Sequence, residues 1–470
     1  MDIYKQDIIS FHTPGHKNAR IYDKLFSNAI KENLINIDTT EIIGTDNLHN
    51  AIGIINDAQK RASEIFKSEE SYFLVNGSTS GIYSMIMGST SPGDRILIDR
   101  NCHQSVINAL ILGDLIPEYI YPDIDINRGI PLGISPDEVE KKLKEFPDAK
   151  AVIITYPTYH GIACDLKKIA DIVHKYNKIL LVDEAHGAHL GLSKDLPRTA
   201  LESGADMVVQ SIHKTLPALT QASILHIQGD RVHRDRIKFM LKVHQSSSPS
   251  YILMSSLDLA INIYEEYGQE LMSELLYNID IFKSKIKSID GIDILDNSII
   301  GKNNVLDIDK TKLWISLLDN RINGYDLENR LRSEYNIQME LSNIYGVLAL
   351  TTIGNEKQDF EKLYTAFMDI VSKLKDTGIR DGIKFIQPIV KRGISPRAAL
   401  YADKKILKVE ESIDHISGQY LIPYPPGVPL LIPGEIIDRD MILYVKEMLS
   451  KGMEIMGLRD KNFEYIEVIV

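Results

Sequence analysis

Short apolar segments of strand length alternate with amphipathic segments of helix length over the first half of the chain. The strand-like segments include SYFLV, RILID, AVIIT and KILLVDEA, and the helix-like ones include SGIYSMIMG, NCHQSVINALIL and DLKKIADIVHKY. Consecutive parallel strands need a crossover of a dozen or more residues, and the helices that form it cover both faces of the sheet. The pattern therefore predicts an α/β domain with a mostly parallel sheet, whose ligand lies at the carboxyl ends of the strands.

The character of the sequence changes near Pro249, where a long helical pattern begins and leads into shorter mixed segments. This change predicts a smaller α+β domain, and a third stretch follows from about Gly378 with the proline-rich segment LIPYPPGVPLLIPGE. Within the large domain, Ser135, Pro136 and Glu138 predict a capped helix start. We predict four parts: an N-terminal arm at 1–45, a large domain at 46–285, a small domain at 286–376 and a C-terminal domain at 377–470.

Charge and cysteine content exclude several classes of protein. The chain has 470 residues and a formal net charge of -12, and no run of Lys and Arg forms the basic face that nucleic-acid binding requires. Its two cysteines, Cys102 and Cys164, cannot form a disulfide framework, which fits a reducing compartment. No segment has the apolar length of a signal peptide or a membrane helix, so we expect a cytoplasmic protein without a nucleic-acid or membrane partner.

Polar groups follow three of the predicted strands. A glycine- and hydroxyl-rich turn, NGSTSG, opens a helix where backbone N–H groups favour an anion. Its hydroxyls belong to Ser78, Thr79 and Ser80. Asp183 ends another strand, and Lys214 follows the next strand-like segment, MVVQS. Taken singly, the turn and Asp183 can each be a helix cap, and Lys214 can extend its ammonium group to water.

An anion site, a carboxylate and a lysine on successive strand ends together match the requirements of pyridoxal 5'-phosphate. The phosphate needs the hydroxyl-rich turn, the pyridine nitrogen needs a carboxylate that keeps it protonated, and the aldehyde needs an amine that forms a Schiff base. We therefore predict that Lys214 holds this cofactor and that Asp183 contacts its ring nitrogen.

Six motifs follow one another along the chain: FHTPGHK, FLVNGSTSG, RNCHQSV, VDEAHGAH, QSIHKTLPALTQAS and YPPGVPLLIPGE. On these motifs the chain resembles the ornithine/lysine/arginine decarboxylase family, and within it the short bacterial arginine decarboxylase-like branch. The resemblance implies a fold-type I large domain that binds pyridoxal phosphate, smaller C-terminal α+β domains, and a homodimer or higher homo-oligomer with active sites at the subunit interface. Because FHTPGHK begins at Phe11, we expect the N-terminal wing domain of longer members to be absent.

The resemblance also implies a role for each matching residue. Lys214 is expected to be the Schiff-base lysine, Asp183 to bind the pyridinium nitrogen, and His103 to stack on one face of the cofactor ring. Ala185 is expected against the other face, and His186 near the ring hydroxyl. The implied phosphate-binding set is Ser78, Thr79, Ser80, Ser211 and His213.

Other interpretations of these histidines stay open at this point. Without the family pattern, His103 is a helix-surface histidine beside a buried cysteine. A metal site would draw on Cys102, His103, Cys164 and the histidines of DEAHGAHL. No pair among them has the spacing of a zinc site, so we expect no metal.

The residues around Lys214 do not select the reaction, because pyridoxal phosphate also supports transamination and other cleavages at the α-carbon. The prediction of decarboxylation rests on the resemblance, especially on the C-terminal segment LIPYPPGVPLLIPGE, which in the family approaches the active site. Its Glu435 is a candidate partner for a cationic substrate side chain, or it caps the helix that follows.

Two N-terminal motifs leave alternatives open. FHTPGHK by itself would be a mobile basic arm, whereas in the family it belongs to the active-site entrance. GTDNLHN resembles a family stretch with two acidic residues before Leu-His, but here Asp46 is followed by Asn47. If the missing carboxylate helps to fix a basic substrate, the substrate preference of this chain differs from that of typical members.

We therefore predict decarboxylation of a basic amino acid, with arginine first, lysine second and ornithine third, to carbon dioxide and an amine that feeds polyamine metabolism. One alternative is an aminotransferase or carbon–carbon lyase with the same cofactor. Another is a non-catalytic protein that binds pyridoxal phosphate, against which the complete set of Lys214, Asp183 and His103 argues.

Overall fold

The N-terminal half of the chain builds a sheet of seven strands. The computed structural model describes residues 8–26, 36–317, 322–374, 389–423, 427–450 and 452–470. The strands of the N-terminal half are β1 (Ile9–Phe11), β2 (Glu70–Leu74), β3 (Arg95–Asp99), β4 (Ile116–Ile120), β5 (Ile124–Asp125), β6 (Ile130–Pro131), β7 (Ala151–Thr155), β8 (Ile162–Ala163), β9 (Ile179–Asp183), β10 (Met207–Gln210) and β11 (Ser223–Ile227).

The large sheet has the strand order β2-β11-β10-β9-β7-β3-β4. Strands β4, β3, β7, β9 and β10 are parallel, while β11 runs antiparallel to both of its neighbours. The connection from β10 to β11 contains a helix of 4 residues, too short for a parallel crossover. The predicted mostly parallel sheet is confirmed, and the reversal of β11 keeps this connection at the carboxyl edge of β10.

Helices follow the strands as the sequence pattern predicts. They are α1 (Arg20–Phe26), α2 (Ile54–Phe66), α3 (Gly77–Ser89), α4 (Gln104–Gly113), α5 (Pro136–Glu145), α6 (Leu166–Lys175), α7 (Ile212–Thr215), α8 (Arg234–His244) and α9 (Tyr251–Ile286). The side chain of Ser135 accepts the N–H of Glu138 and so caps α5 at its predicted start. Such a cap stabilises a helix by about 1 kcal/mol.

Alternate residues along the strands enter two separate cores. In β9, Leu180 and Val182 pack in one core with α6 and α9, whereas Leu181 packs in the other with α3, α4 and α8. Neighbouring positions of a strand point to opposite faces, so each apolar run is buried on both sides. Helices therefore cover both faces of the sheet, and polar side chains are left to its strand ends.

The C-terminal half forms smaller antiparallel units. Its strands are β12 (Ile292–Ile294), β13 (Asp307–Ile308), β14 (Lys312–Leu317), β15 (Ile337–Met339), β16 (Leu341–Ser342), β17 (Gly346–Leu350), β18 (Lys404–Lys408), β19 (Ile422–Pro423), β20 (Ile455–Met456) and β21 (Tyr465–Ile469). Its helices are α10 (Gly324–Tyr335), α11 (Lys357–Lys373), α12 (Pro396–Tyr401) and α13 (Arg439–Ser450). A four-stranded antiparallel sheet has the order β12-β14-β17-β16, and β18 pairs with β21.

Residues after about 400 also have a core of their own. Val409, Leu431, Met441 and Val468 belong to a cluster of buried side chains distinct from those of the large sheet. A separate core is what an independent domain requires. The predicted α/β fold with smaller α+β domains is confirmed, while the boundaries at 45, 285 and 376 stay predictions.

Candidate active site

Side chains from three neighbouring strands converge at the carboxyl edge of the large sheet. Asp99 ends β3, Thr155 ends β7 and Asp183 ends β9. Thr155 stands opposite Asp183 in the register of the two strands, and its N–H donates to Oδ2 of Asp99 at 3.4 Å. The strand order thus brings together polar groups that the sequence separates.

Lys214 lies on the short helix α7, directly after β10. Its Nζ is 3.0 Å from Nε2 of His186 and 5.7 Å from the ring centroid of Tyr159. Loss of contact with water lowers the pKa of Lys214, and the nearby carboxylate of Asp183 partly opposes that change. More of the amine is therefore neutral than in a solvated lysine, and the neutral amine is the form that attacks an aldehyde.

Asp183 is 5% exposed, and its Oδ1 accepts the N–H of Ala185 at 3.1 Å. Burial raises the pKa of Asp183, and the charge of Lys214 lowers it. Within the part of the chain that the structure describes, neither side chain forms a salt bridge. A buried carboxylate without a cation in contact is unfavourable, so Asp183 is suited to pair with a cationic group of a ligand.

The hydroxyl-rich turn forms the amino end of α3, as the sequence predicts. Gly77 has a φ of +75°, and a Cβ built on it would meet open space. Ser78 and Thr79 are half-buried, whereas Ser80 is buried and its hydroxyl donates to the carbonyl of Gly77 at 2.8 Å. Ser78, Thr79 and the first N–H groups of α3 can therefore meet an anion, while Ser80 is engaged in its own helix.

Ser211 and His213 lie at the start of α7. Ser211 is fully buried, and its Oγ has no hydrogen-bond partner among the described residues. Nδ1 of His213 is 2.9 Å from the carbonyl oxygen of Ala222, and burial lowers the pKa of this histidine to about 4. A buried hydroxyl without a partner is unfavourable by about 1 to 3 kcal/mol, so Ser211 is a sign of a polar ligand here.

His103 caps helix α4 as well as facing the site. Its Nδ1 accepts the N–H of Ser105 at 3.2 Å and lies 2.9 Å from the Ser105 hydroxyl. Burial, followed by the charge of Lys214, lowers the pKa of His103 to about 4, so the ring is neutral. A neutral, half-buried ring near Lys214 is compatible with stacking on a cofactor, and the helix-surface interpretation is too simple.

His186 connects Lys214 to an aromatic wall. Its ring lies 4.5 Å from that of Tyr159, and its Nδ1 is buried without a partner among the described residues. Burial, then the charge of Lys214, places the pKa of His186 well below its ordinary value. Ala185, one residue earlier, is buried beside Asp183. The loop after β9 thus supplies both an apolar surface and a neutral imidazole.

The groups at this sheet edge fit pyridoxal phosphate. The unpartnered hydroxyl of Ser211 suits a phosphate oxygen, and the buried carboxylate of Asp183 suits a protonated ring nitrogen. The amine of Lys214 suits the aldehyde, and the unpartnered Nδ1 of His186 suits a polar ring substituent. The individual cofactor contacts stay predictions.

The N-terminal motif FHTPGHK packs against the Lys214 loop. The N–H of Gly15 donates to the carbonyl of His213 at 2.7 Å, and that of Thr13 donates to Oε2 of Glu340 at 2.9 Å. Lys17 is buried, and its ammonium donates to the carbonyls of His12 and Leu350. The mobile-arm interpretation is wrong, because a segment with buried backbone contacts is not a free arm.

The sequence reasoning missed three groups near Lys214. Asp99 follows an apolar strand just as Asp183 does, so the same signal was present for both. Burial raises the pKa of Asp99 to about 7. Tyr159 follows the strand AVIIT without any motif, and Glu340 lies in the small domain, so no local pattern indicates either one.

Glu435 does not cap the following helix. Helix α13 begins at Arg439, and Oδ1 of Asp438 accepts the N–H of Met441 at 2.7 Å, so Asp438 is the capping residue. Glu435 is instead 1% exposed, and its Oε2 lies 3.2 Å from a guanidinium nitrogen of Arg100. Because Arg100 already neutralises it, the geometry does not favour the predicted contact with a cationic substrate.

Arg100 ties the loop before His103 to the C-terminal segment. Its guanidinium donates to the carbonyls of Pro429 at 2.6 Å and of Leu430 at 3.0 Å. The part of the proline-rich segment at 424–426 lies outside the described residues. The C-terminal segment therefore contacts the motif RNCHQSV through Arg100.

The motif GTDNLHN starts helix α2. The carboxylate of Asp46 accepts the N–H groups of Gly53 at 2.8 Å and Ile55 at 3.1 Å. Asn47 is exposed, and its side chain accepts the N–H of His49 at 2.8 Å, which an aspartate would also do. The effect of the missing charge on substrate preference stays a prediction.

Neither a metal centre nor a membrane-crossing helix occurs among the described residues. No group of three or more His, Cys, Asp and Glu side chains there is arranged to hold a metal ion. Cys102 and Cys164 are free and buried, and burial raises the pKa of both thiols. No described helix is long and apolar enough to cross a membrane.

Comparisons with known proteins place the chain among decarboxylases. It is 35% identical over 98% of its length to the arginine decarboxylase of Bacillus subtilis, of which 94% is covered. It is 36% identical over 99% of its length to the arginine decarboxylase of Halalkalibacterium halodurans, of which 95% is covered. Among solved structures, the Francisella novicida lysine decarboxylase aligns with 99% of this chain and 80% of its own, with a TM-score of 0.79 and 22% identity, and supports the fold.

Two family descriptions match separate parts of the sequence. "Orn/Lys/Arg decarboxylase, major domain" matches residues 1–325, and "Orn/Lys/Arg decarboxylase, C-terminal domain" matches residues 387–460. Together with the full-length relatives, they show that the chain belongs to the ornithine/lysine/arginine decarboxylase family, whose fold is that of fold-type I pyridoxal phosphate enzymes.

Proposed function

We propose that this chain decarboxylates arginine to agmatine and carbon dioxide, with pyridoxal phosphate bound at Lys214. The observation that carries the proposal is the pair of charged groups without salt bridges, Asp183 and Lys214, at one sheet edge in a chain of this family. Arginine is preferred over lysine and ornithine because the full-length relatives are named arginine decarboxylases. Agmatine is a precursor suited to polyamine synthesis.

The cofactor would be held by groups from several strand ends. Asp183 would bind the ring nitrogen, and His103 and Ala185 would contact the two ring faces, with His186 near the ring hydroxyl. The phosphate would meet Ser78, Thr79, Ser211 and His213, while the Ser80 hydroxyl, predicted with this set, stays bound to the carbonyl of Gly77. When bound, pyridoxal phosphate accepts the electron pair released as a bond to the α-carbon breaks.

Side chains of the protein would transfer the proton that the reaction requires. The bond from the α-carbon to the carboxylate breaks, carbon dioxide leaves, and one proton must then be delivered to the α-carbon. Nζ of Lys214 and Nε2 of His186 lie 3.0 Å apart, so a proton can pass between them. The low exposure of His186 and Asp183 limits access of water to this step.

We also propose a cytoplasmic homodimer. Ile42, Ile43, Ile52 and Ile54 are exposed around the start of α2, and apolar groups concentrated in one segment suit a protein interface. Light scattering after gel filtration should give twice the chain mass of 53.1 kDa. A mass of one chain at micromolar concentration would contradict this part of the proposal.

The decisive experiment is to incubate the pyridoxal phosphate-loaded protein separately with arginine, lysine and ornithine. We expect carbon dioxide and agmatine in equal amounts from arginine, with lower rates for lysine and then ornithine. A keto acid product would indicate an aminotransferase, and a cleaved side chain would indicate a carbon–carbon lyase. Bound cofactor without any product would indicate a non-catalytic binding protein.

A further inference from the structure

A cleft with a cavity volume of about 140 Å³ lies next to the candidate active site, where all three parts of the chain meet. Side chains from the large domain, the segment after β15 and helix α13 line it. They include Tyr159, His160, Tyr325, Tyr345, Tyr444 and Glu447. The cleft therefore has four tyrosines in its wall, and its shape depends on the packing of the domains against one another.

Tyr159 is shared between this cleft and the catalytic lysine. Its ring centroid is 5.7 Å from Nζ of Lys214 and 4.5 Å from the ring of His186, and the same side chain lines the cleft. An extended arginine side chain places its guanidinium carbon about 6 Å from its α-carbon. A substrate held at Lys214 is therefore long enough to bring its guanidinium to the ring of Tyr159, which lines the cleft.

The charge of the cleft suits a cation. Among its described lining residues Glu447 is the only acid, and none is Lys or Arg. Glu447 is half-buried on α13 and forms no salt bridge within the described chain. This contrasts with Glu435, which Arg100 already neutralises. The cleft thus has a carboxylate that is open to a cationic partner and tyrosine faces that attract cations.

His160 supplies a second acceptor. It is 5% exposed, and neither of its ring nitrogens has a hydrogen-bond partner among the described residues. Its ring packs edge-on against Trp314 at 5.1 Å, and burial lowers its pKa to about 3, so it is neutral. Buried polar groups normally have hydrogen-bond partners. A neutral imidazole without one, in the wall of a cleft, therefore indicates that a polar ligand forms the missing hydrogen bond.

We propose that this cleft binds the guanidinium end of the substrate, with Glu447 as its carboxylate partner and His160 as a hydrogen-bond acceptor. The inference rests on the proposed function, since it assumes a substrate held at Lys214. A guanidinium group has five N–H donors in a plane and stacks on tyrosine rings, so it can satisfy both acceptors at once. A lysine ammonium would satisfy them less completely.

The first test compares Glu447→Gln with Asp440→Asn, which removes one charge from an exposed position of the same helix α13. We expect Glu447→Gln to raise KM for arginine about tenfold and to change kcat less than about twofold. Its preference for arginine over citrulline, the neutral analogue of the same shape, should fall by a similar factor. Asp440→Asn should match the parent protein in all three measurements.

A second test measures binding without turnover. Calorimetry with agmatine, which keeps the guanidinium group but has no carboxylate, should show about tenfold weaker binding for Glu447→Gln and for His160→Phe. The latter keeps an aromatic ring of similar size against Trp314. The visible absorbance of the bound cofactor should be the same in both variants as in the parent protein.

The outcomes separate this inference from the proposed function. If the parent protein decarboxylates arginine but both variants keep its KM and agmatine affinity within about twofold, the cleft assignment is overturned and the proposed function stands. If the parent protein releases no carbon dioxide from arginine, the proposed function fails. In that case, agmatine binding that depends on Glu447 still supports a guanidinium site, and no agmatine binding overturns it.

Discussion

Two regions of the molecule bury charged side chains, and they differ in how those charges are neutralised. At the carboxyl edge of the large sheet, Asp183 and Lys214 are in no salt bridge within the described chain. At the contact with the C-terminal domain, Glu435 is paired with Arg100, which also donates to two carbonyls. The difference teaches that a buried charge left without a partner marks a ligand site, whereas a paired one holds domains together.

The largest expected effect follows from removing Lys214. Lys214→Ala should lower turnover by at least about 10³-fold and abolish the visible absorbance of bound cofactor, because it removes the amine proposed to form the Schiff base. Without its cofactor, the variant should be as stable as the parent protein or more so, since it no longer buries an unpaired ammonium. Borohydride reduction and peptide mapping should locate the cofactor on Lys214 in the parent protein only.

A matched control is available in Lys312, which is also buried but whose Nζ lies 2.9 Å from Oδ2 of Asp309. Lys312→Met should lower the free energy of unfolding by about 3 to 5 kcal/mol, because it leaves Asp309 without its cation. It should still bind the cofactor. If Lys214→Ala destabilised the protein and Lys312→Met did not, the distinction between unpaired and paired charges would be wrong.

Asp183→Asn should have the next largest effect. The amide fills the same space but cannot keep a pyridine nitrogen protonated, so kcat should fall by about 10²- to 10³-fold. The unfolding temperature without cofactor should stay close to that of the parent protein. A turnover rate equal to that of the parent protein would remove Asp183 from the catalytic set.

Glu435→Gln should affect stability more than catalysis. Loss of the carboxylate leaves Arg100 buried with a weaker partner, and the free energy of unfolding should fall by up to about 3 to 5 kcal/mol. KM for arginine should stay within about twofold of that of the parent protein. The opposite result, an unchanged stability with a raised KM, would restore the substrate role predicted from the sequence.

Asp99→Asn should have the smallest effect, which should appear as a change in the pH dependence of the free energy of unfolding. Burial raises the pKa of Asp99 from 3.8 to about 7, so between these values the folded protein holds a proton that the unfolded chain has lost. The contribution of Asp99 to stability therefore falls as the pH rises through this window and is constant above it. Urea unfolding of the cofactor-free proteins at pH 5 and pH 7 measures the change.

The variant lacks this titration, so its stability relative to the parent protein should increase by up to about 1.4 kcal/mol per pH unit within the window. The carboxamide oxygen can accept the N–H of Asn101, which now donates to Oδ1 of Asp99 at 2.8 Å. Parallel pH profiles for the two proteins would show that Asp99 does not titrate there.

The sequence was informative where structure depends on neighbouring residues. The apolar run before Asp183 and the capping pattern that starts at Ser135 each predict an element, and the strand-end rule places Asp183 and Lys214 on one sheet edge. These features arise from patterns of fewer than about fifteen residues, which strand and helix periodicity determine. Strand β11 departs from the predicted parallel arrangement because its connection to β10 is too short for a helical crossover.

Contacts between distant segments could not be predicted in this way. Arg100 and Glu435 are separated by 335 residues, and nothing near either one specifies the other. The local sequence therefore predicts only a substrate contact or a helix cap for Glu435, and no motif indicates a role for Glu447 on the following helix. The same limit applies to FHTPGHK, whose Lys17 looks mobile until the small domain provides the carbonyl of Leu350 for its ammonium.

The pairing of the first described strand with the small domain has a consequence during synthesis. Strand β1 lies beside β15, and Thr13 binds Glu340, 327 residues further along the chain. At ribosomal rates of about 5 to 20 residues per second, the first strand waits tens of seconds for this partner to be made. Until then Gly15 has no small domain to hold it against His213, so a nascent chain lacking that domain should acquire the cofactor poorly.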